Sequence, residues 1–178
     1  ILQIRTKKYK KIGILGGTFD PPHIGHLNIS KISLQKLKLD NLIWIVTKQN
    51  PLKQKPYLSI KTRLYLSKKI IFGQKKISVK CFDNKIKNKS TYNLLNYFKK
   101  KNKKKELFFI IGSDNLIKFH KWKNWKKISN ISKLVVFARP GYGKKAFNSI
   151  AAKKLGKNDW IYINSKKINI SSSSIRKF

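Results

Sequence analysis

An open α/β fold, with a mainly parallel sheet and helices on both faces, is the architecture the chain predicts, and three observations carry it. Leu42–Val46 and Leu107–Ile111 are continuous apolar runs of strand length, the pattern of parallel strands covered on both faces. Such runs alternate with longer stretches whose apolar residues recur at helical spacing. The first run, Ile12–Leu15, ends in Gly16-Gly17 and feeds an amphipathic stretch. At a strand–glycine–helix junction of that kind, backbone N–H groups converge on an anion, because glycine tolerates unusual φ/ψ and lets a phosphate approach the main chain. At 178 residues the chain is long enough for one compact domain with a real core and too short for two comfortable ones.

Taken in order, Ile1–Lys10 is basic and irregular and reads as an arm or edge segment. After the first strand, Leu27, Ile29, Ile32, Leu34, Leu37 and Leu39 approximate one helix, which Asp40-Asn41 ends. His23 and His26, two of the three histidines, would lie close together at the positive end of that helix if it begins near Gly25, each able to donate an imidazole N–H to a phosphate; a pair of satisfied core histidines in a turn is the alternative. Leu42–Val46 should lie beside the first strand. Thr47–Tyr57 holds Pro51 and Pro56, which forbid regular structure and mark a loop at that strand's carboxyl end, the end at which open α/β sheets hold ligands.

Ser59 predicts an N-cap for a helix Ile60–Phe72, with Leu64, Leu66, Ile70 and Ile71 near its buried side and Gly73 past its end. Ile77–Phe82 is the next strand, and Ser90 or Thr91 opens a helix with Leu94, Leu95 and Phe98 inward. Leu107–Ile111 runs into Gly112-Ser113-Asp114; a carboxylate at that strand end can accept from a ribose hydroxyl or cap a helix. Trp122 and Trp125 are spaced as a buried helical face would space them, and His120 is expected to be exposed. Lys133–Ala138 is a strand, Phe147–Leu155 a short helix stopped by Gly156, and Trp160–Ile163 the last strand.

Lys and Arg number 43 against six Asp and Glu, a formal charge of +37. Such a balance ordinarily suggests nucleic acid or an anionic membrane. Lysine, asparagine and isoleucine are spread along the whole chain, however, as codon drift in an AT-rich genome would spread them. The dense run Lys99–Lys105 reads as a helix end and loop, without interleaved aromatics of the RNA-binding kind. Specific nucleic-acid binding is therefore not expected, although the field would steer anionic nucleotides. A single cysteine, Cys81, excludes an intramolecular disulfide and fits a reducing compartment. No apolar run approaches the roughly 18 residues that span a membrane, so a cytoplasmic protein is expected. A homo-oligomer is compatible with the sequence.

The run Gly16-Gly17-Thr18-Phe19-Asp20-Pro21-Pro22-His23-Ile24-Gly25-His26 resembles the signature of the nucleotidyltransferases that carry a His-x-Gly-His motif. Within them the chain is similar, over nearly its whole length, to the bacterial nicotinate-nucleotide adenylyltransferases. The resemblance implies a Rossmann-like, doubly wound sheet of the nucleotidyltransferase type in one domain over residues 1–178. It assigns the ATP site to Gly16, Gly17, Thr18, Phe19 and Gly25, and to Asn169-Ile170-Ser171-Ser172-Ser173-Ser174-Ile175-Arg176, which is similar to the superfamily's second signature, Ile-Ser-Ser-Thr-x-Ile-Arg. Hydroxyls and free N–H groups at a helix start make a second anion cradle, and arginine is a forked donor to phosphate oxygens. Family members continue with a further helix, so the C-terminal helix is expected to be cut short at Phe178.

The acceptor site follows in the same way. Asn50-Pro51-Leu52-Lys53 looks like the family's loop over the cleft, with Lys53 a phosphate contact or a solvated lysine. Thr91 stands where the family contacts nicotinate, although Asn93 and Leu94 depart from the family's Tyr-Thr-x-Asp-Thr-Leu, which puts fine specificity in doubt. Gly112-Ser113-Asp114-Asn115-Leu116 with Phe119, Trp122 and Trp125 resembles the family's Gly-x-Asp-x-Leu…Phe…Trp…Trp segment, Trp122 matching the residue that stacks on the pyridine ring. Arg139 in Arg-Pro-Gly reaches a substrate phosphate or carboxylate, or forms a structural ion pair.

The implied reaction joins ATP to nicotinate mononucleotide, with His23, His26 and Arg176 as catalytic groups and Mg²⁺ screening the phosphates. The six acids suggest no protein metal cage. Phosphopantetheine or nicotinamide mononucleotide as acceptor, and a basic nucleic-acid-binding protein, are the competing readings.

Overall fold

A computed structural model describes residues 10–49, 54–82, 90–164 and 171–177. Lys53, Ile170 and the basic N-terminal segment other than Lys10 lie outside the described residues. Six strands, β1 (Lys10–Gly17), β2 (Asn41–Val46), β3 (Ile77–Lys80), β4 (Lys105–Gly112), β5 (Lys133–Phe137) and β6 (Trp160–Ile163), form one sheet in the order β3-β2-β1-β4-β5-β6. Every pairing is parallel, so the expected mainly parallel sheet is parallel throughout its described strands. The order reverses between β1 and β4, and such a reversal opens a crevice at the strands' carboxyl ends. Leu15 lies level with Ile110, so β1 and β4 end at the same height, at Gly17 and Gly112.

Alternation along the strands divides the core between the two faces. Ile12, Ile14, Phe109, Ile111 and Val136 point to one side, packed by Leu94, Leu95 and Phe98 of α3 (Thr91–Lys101), Leu116 of α4 (Ser113–Lys118) and Ile128 of α5 (Trp125–Ile131). Leu15, Trp44, Val46, Phe108 and Ile110 point to the other, under α1 (Ile24–Lys36) and α2 (Ile60–Ile70). This is the doubly wound arrangement, and the fully buried runs on β2 and β4 follow from helices on both faces.

Several boundaries differ from the sequence expectation for local reasons. Helix α1 stops at Lys36, because Lys38 turns left-handed at φ 51°. Asp40 then accepts the main-chain N–H of Lys11 at 2.7 Å. The face of α1 that meets the sheet carries Ser30 and Ser33 rather than the isoleucines. Small residues bring the helix close, and Ser30 Oγ donates to the His26 carbonyl at 2.8 Å while accepting from Trp44 Nε1 at 2.7 Å. Helix α2 likewise buries Arg63 and Ser67, with its leucines half-buried. The expected helix Phe147–Leu155 is two, α6 (Gly143–Phe147) and α7 (Ile150–Lys154), divided where Ser149 caps the second by accepting from Ala152 N at 3.2 Å. Ser59 caps α2, and Ser90, not Thr91, caps α3.

Leu95 is fully buried between α3 and the sheet. Leu95→Ala is expected to cost about 3 kcal/mol in urea unfolding, from lost transfer energy and the cavity left behind; an unchanged midpoint would mean that α3 does not pack on this face.

Candidate active site

β1 delivers the chain to the crevice, and the residues that follow wrap around its end. Gly16 and Gly17 remain in extended strand, paired with Ile45 and Val46. The left-handed residue is Phe19, at φ 50°, a correction to the expectation that the glycines supply the unusual backbone. A bulky side chain in that region is uncommon, and here its ring is clamped, stacked 5.0 Å from Trp44 and 4.8 Å from the His26 ring. A Cβ on Gly16 would meet only Phe109 at 3.6 Å, so folding does not demand glycine there. What the glycine leaves open is room beside the main chain.

His23 is the N-cap of α1. Its Nδ1 accepts from Gly25 N at 3.2 Å, and His26 Nδ1 accepts from His23 N at 3.2 Å, a reciprocal capping box made of two imidazoles. The rings lie 3.8 Å apart. With each Nδ1 used as an acceptor, each neutral ring carries its proton on Nε2, the atom that can donate. His23 is buried, and burial together with the Arg139 charge lowers its pKa from 6.5 to about 4. Near neutral pH it is therefore an uncharged donor at the positive end of a helix.

Arg139, past the end of β5, sits 3.1 Å by Nε from Asp114 Oδ1 in the first turn of α4. The alignment is that of an ion pair and not of a hydrogen bond to that oxygen. The pair spans Gly112, whose absent side chain makes the space: a Cβ there would run into Asp114 Oδ1 and lie 2.7 Å from Arg139 Nε. Arg139 thus forms the ion pair with Asp114 that the sequence allowed for.

The second signature segment lies against the first. Ser171 caps α8 (Ser172–Ile175) in a capping box with Ser174. Ser172 Oγ donates to the Pro21 carbonyl at 2.9 Å. Arg176 donates to the Asp20 carbonyl through Nη1 and to Ser173 Oγ through Nη2 at 3.3 Å. Its guanidinium lies 3.8 Å from Asp20 Oδ2 and 5.0 Å from the centre of the Tyr57 ring. The structure thus brings together His23, His26, Ser172, Ser173 and Arg176, with Asp114 and Arg139 across the crevice. Trp122 is half-buried against Phe119 (5.2 Å) and Phe109 (6.1 Å), and Trp125 packs on Phe119 at 6.0 Å. Thr91 opens α3, half-buried. His120, expected to be exposed, is half-buried with its Nδ1 enclosed.

Two residues that the sequence reading left without a role organise the crevice. Asp20 is buried and accepts the N–H groups of Tyr57 at 2.8 Å and Leu58 at 2.9 Å. Arg63 is buried and donates to four carbonyls: Thr18 at 2.5 Å, Thr47 at 2.7 Å, Lys48 at 3.1 Å and Leu58 at 3.0 Å. One signal could have found Arg63. The chain has only four arginines among its 43 basic residues, Arg5, Arg63, Arg139 and Arg176. A lysine, a point charge on a flexible stem, cannot replace a fork that reaches several acceptors at once.

Fold and site together define a nucleotidyltransferase, with its two signature segments meeting at the switch point of a parallel sheet. A family model described as cytidylyltransferase-like matches residues 14–178. A probable nicotinate-nucleotide adenylyltransferase of Pelagibacter ubique is 48% identical over 171 residues, 96% of this chain and 94% of that protein. One of Clostridium tetani is 37% identical over 172 residues, 94% of this chain and 86% of that protein. The solved structure of Plasmodium falciparum nicotinic acid mononucleotide adenylyltransferase complexed with NaAD shares the fold, with a TM-score of 0.79 at 23% identity, over 96% of this chain and 84% of that one. The chain belongs to the cytidylyltransferase-like family and, within it, to the nicotinate-nucleotide adenylyltransferases.

The buried neutral His23 has a consequence for stability. Between pH 6.5 and about 4 the unfolded chain takes up a proton on this residue that the folded chain does not. Its stabilising contribution is therefore complete above pH 6.5 and lost as pH falls towards 4, by up to about 3 kcal/mol. Urea unfolding of the wild type and of His23→Asn, which keeps a capping side chain, should show the acid loss reduced in the variant; equal losses would remove His23 as their source.

Proposed function

We propose that this chain transfers the adenylyl group of ATP to the 5′-phosphate of nicotinate mononucleotide, giving nicotinate adenine dinucleotide and pyrophosphate in NAD biosynthesis. The observation that carries the reading is the docking of Ser172 and Arg176 onto Pro21 and Asp20, two and three residues before His23, where the two histidines' capping box begins. A polyanion bound there meets imidazole N–H groups from one side and hydroxyls and a guanidinium from the other. The identity of 48% to a nicotinate-nucleotide adenylyltransferase supports the acceptor.

In this reading a phosphate oxygen of nicotinate mononucleotide attacks the α-phosphorus of ATP in line. The bond from that phosphorus to the bridging oxygen breaks, and pyrophosphate leaves with the electron pair. No protein nucleophile is required; positioning and stabilisation of developing charge do the work. His23 and His26 donate through Nε2 to phosphate oxygens and to the bridging oxygen. Gly16, Gly17, Thr18, Phe19 and Gly25 border the nucleotide on one side. Ser171, Ser172, Ser173 and Arg176, with Ile170 in the same motif, hold the leaving phosphates. Asp114 takes a ribose hydroxyl of the acceptor, Trp122 its ring, and Thr91, Arg139 and Lys53 its carboxylate and phosphate.

Among the described residues no three of His, Cys, Asp and Glu come together in a way that could hold a metal ion. The two carboxylates at the crevice are already engaged, Asp20 by main-chain N–H groups and Asp114 by Arg139. The residues present thus form no cage, and Mg²⁺, which keeps water ligands and favours phosphate oxygens, belongs with ATP as part of the substrate. Among the described residues no helix is long and apolar enough to cross a membrane.

Pyrophosphate release from MgATP, with nicotinate mononucleotide, nicotinamide mononucleotide and phosphopantetheine offered separately, tests the reading. Turnover with the first alone is expected. Turnover with another would keep the chemistry and reassign Trp122 and Thr91. No turnover in a folded protein that binds RNA in a salt-dependent manner would overturn it. His23→Ala is expected to lower kcat about 100-fold or more, by analogy with the loss of an oxyanion donor, while the lost cap costs only about 1 kcal/mol of stability; near-normal turnover would sink its role.

A further inference from the structure

We propose that Tyr57 is a positioning residue for Arg176, its exposed ring serving as the platform that orients the guanidinium towards the nucleotide's phosphates. The proposal rests on the adenylyl-transfer reading above and adds a residue that no sequence motif marks.

Tyr57 is 74% exposed; its ring lies not in the core but on the cleft side, where Arg176 contacts it. Its backbone is not loose. The Tyr57 and Leu58 N–H groups are held by the two oxygens of the Asp20 carboxylate, and the Leu58 carbonyl is held by Arg63 Nε. Ser59 follows as the N-cap of α2. The ring therefore stands on main chain fixed from both sides, and over it lies the Arg176 guanidinium at 5.0 Å, within the range of a cation–π contact. Arg176 is the C-cap of the four-residue helix α8, reached by the chain 156 positions after Asp20. Such a short helix has little packing of its own to fix a long side chain. Four groups converge on it instead: the Asp20 carbonyl, the Asp20 carboxylate at 3.8 Å, the Ser173 hydroxyl at 3.3 Å and the Tyr57 face.

The ring is the one of these four that takes up no N–H donor of the guanidinium. A carboxylate orients a guanidinium but competes with the phosphate for it. An aromatic face attracts the cation while using none of its N–H donors, so the contact takes none of them away from a phosphate. Only the ring's face is needed; the hydroxyl plays no part.

The test is a double-mutant cycle on Tyr57 and Arg176, read in the Kd for ATP by calorimetry and in kcat and KM with nicotinate mononucleotide. Because Tyr57 is exposed, Tyr57→Ala should leave the melting temperature unchanged. It should weaken ATP binding roughly 3- to 5-fold, the scale of an exposed cation–π contact, while leaving the KM for nicotinate mononucleotide unaltered. Tyr57→Phe should behave as wild type. In the Arg176→Ala background, Tyr57→Ala should have no further effect on ATP binding. Wild-type affinity in Tyr57→Ala would overturn the proposal. So would an undiminished loss in the Arg176→Ala background, which would mean that the ring contacts the nucleotide itself, or failure of Tyr57→Phe. The calorimetric arm needs no acceptor, so an error in the acceptor's identity leaves the cycle intact; a wild-type protein that binds no ATP would overturn the functional reading and the proposal together.

Discussion

The Asp20 carboxylate is the constraint on which the crevice depends. It is buried, and a buried anion is stable only if its oxygens are hydrogen-bonded. It meets that requirement with the N–H groups of Tyr57 and Leu58, which binds the entry to α2 to the turn after β1. Arg63 is the complement, a buried cation that returns from α2 to the carbonyls of Thr18, Thr47 and Lys48. The two side chains stitch the loops after β1 and β2 together through main-chain partners. Backbone partners suit this task better than side chains would, because they fix where the chain runs whatever the residue types along it.

The electrostatics of the histidine pair follow from that framework. A cluster of cations would seem the direct way to attract phosphates, yet the geometry favours a neutral His23: burial and the Arg139 charge both oppose a proton on its second nitrogen. Directed N–H donors, held by a helix start, bind an anion without paying first for the mutual repulsion of like charges. Arg139 is itself kept in check by Asp114. The site therefore keeps an internal charge balance within a chain whose surface is overwhelmingly positive, and two of the six acidic residues are engaged in it.

Much of this was legible in the residues. Apolar runs on β2 and β4 marked buried parallel strands, because a strand covered on both faces has no polar face to alternate with. Ser59 and Ser90 read as caps because a hydroxyl ahead of an apolar period satisfies N–H groups that otherwise have no partner. The histidines were legible through their spacing. What was not legible depended on close approach in three dimensions. Hydrophobic period cannot tell that α1 turns Ser30 and Ser33 to the sheet, since the contact there selects for small size and a hydroxyl near Trp44. The left-handed backbone fell to Phe19 and not to glycine because two aromatic rings clamp it. Arg63 was hidden by sheer numbers of basic residues, and the split of α6 from α7 by a serine whose capping role only the turn geometry reveals.

The junction between Ser172 and Pro21, and between Arg176 and Asp20, joins stretches from nearly opposite parts of the chain. During synthesis on the ribosome, β1, α1 and β2 have all emerged long before residue 176 is made, and domains generally fold from the N-terminal side as they appear. A nascent chain can thus assemble most of its sheet while the crevice at the carboxyl ends still lacks one wall. The wall closes only when translation has passed the second motif, so the same contact that shapes the crevice also times when it comes into being.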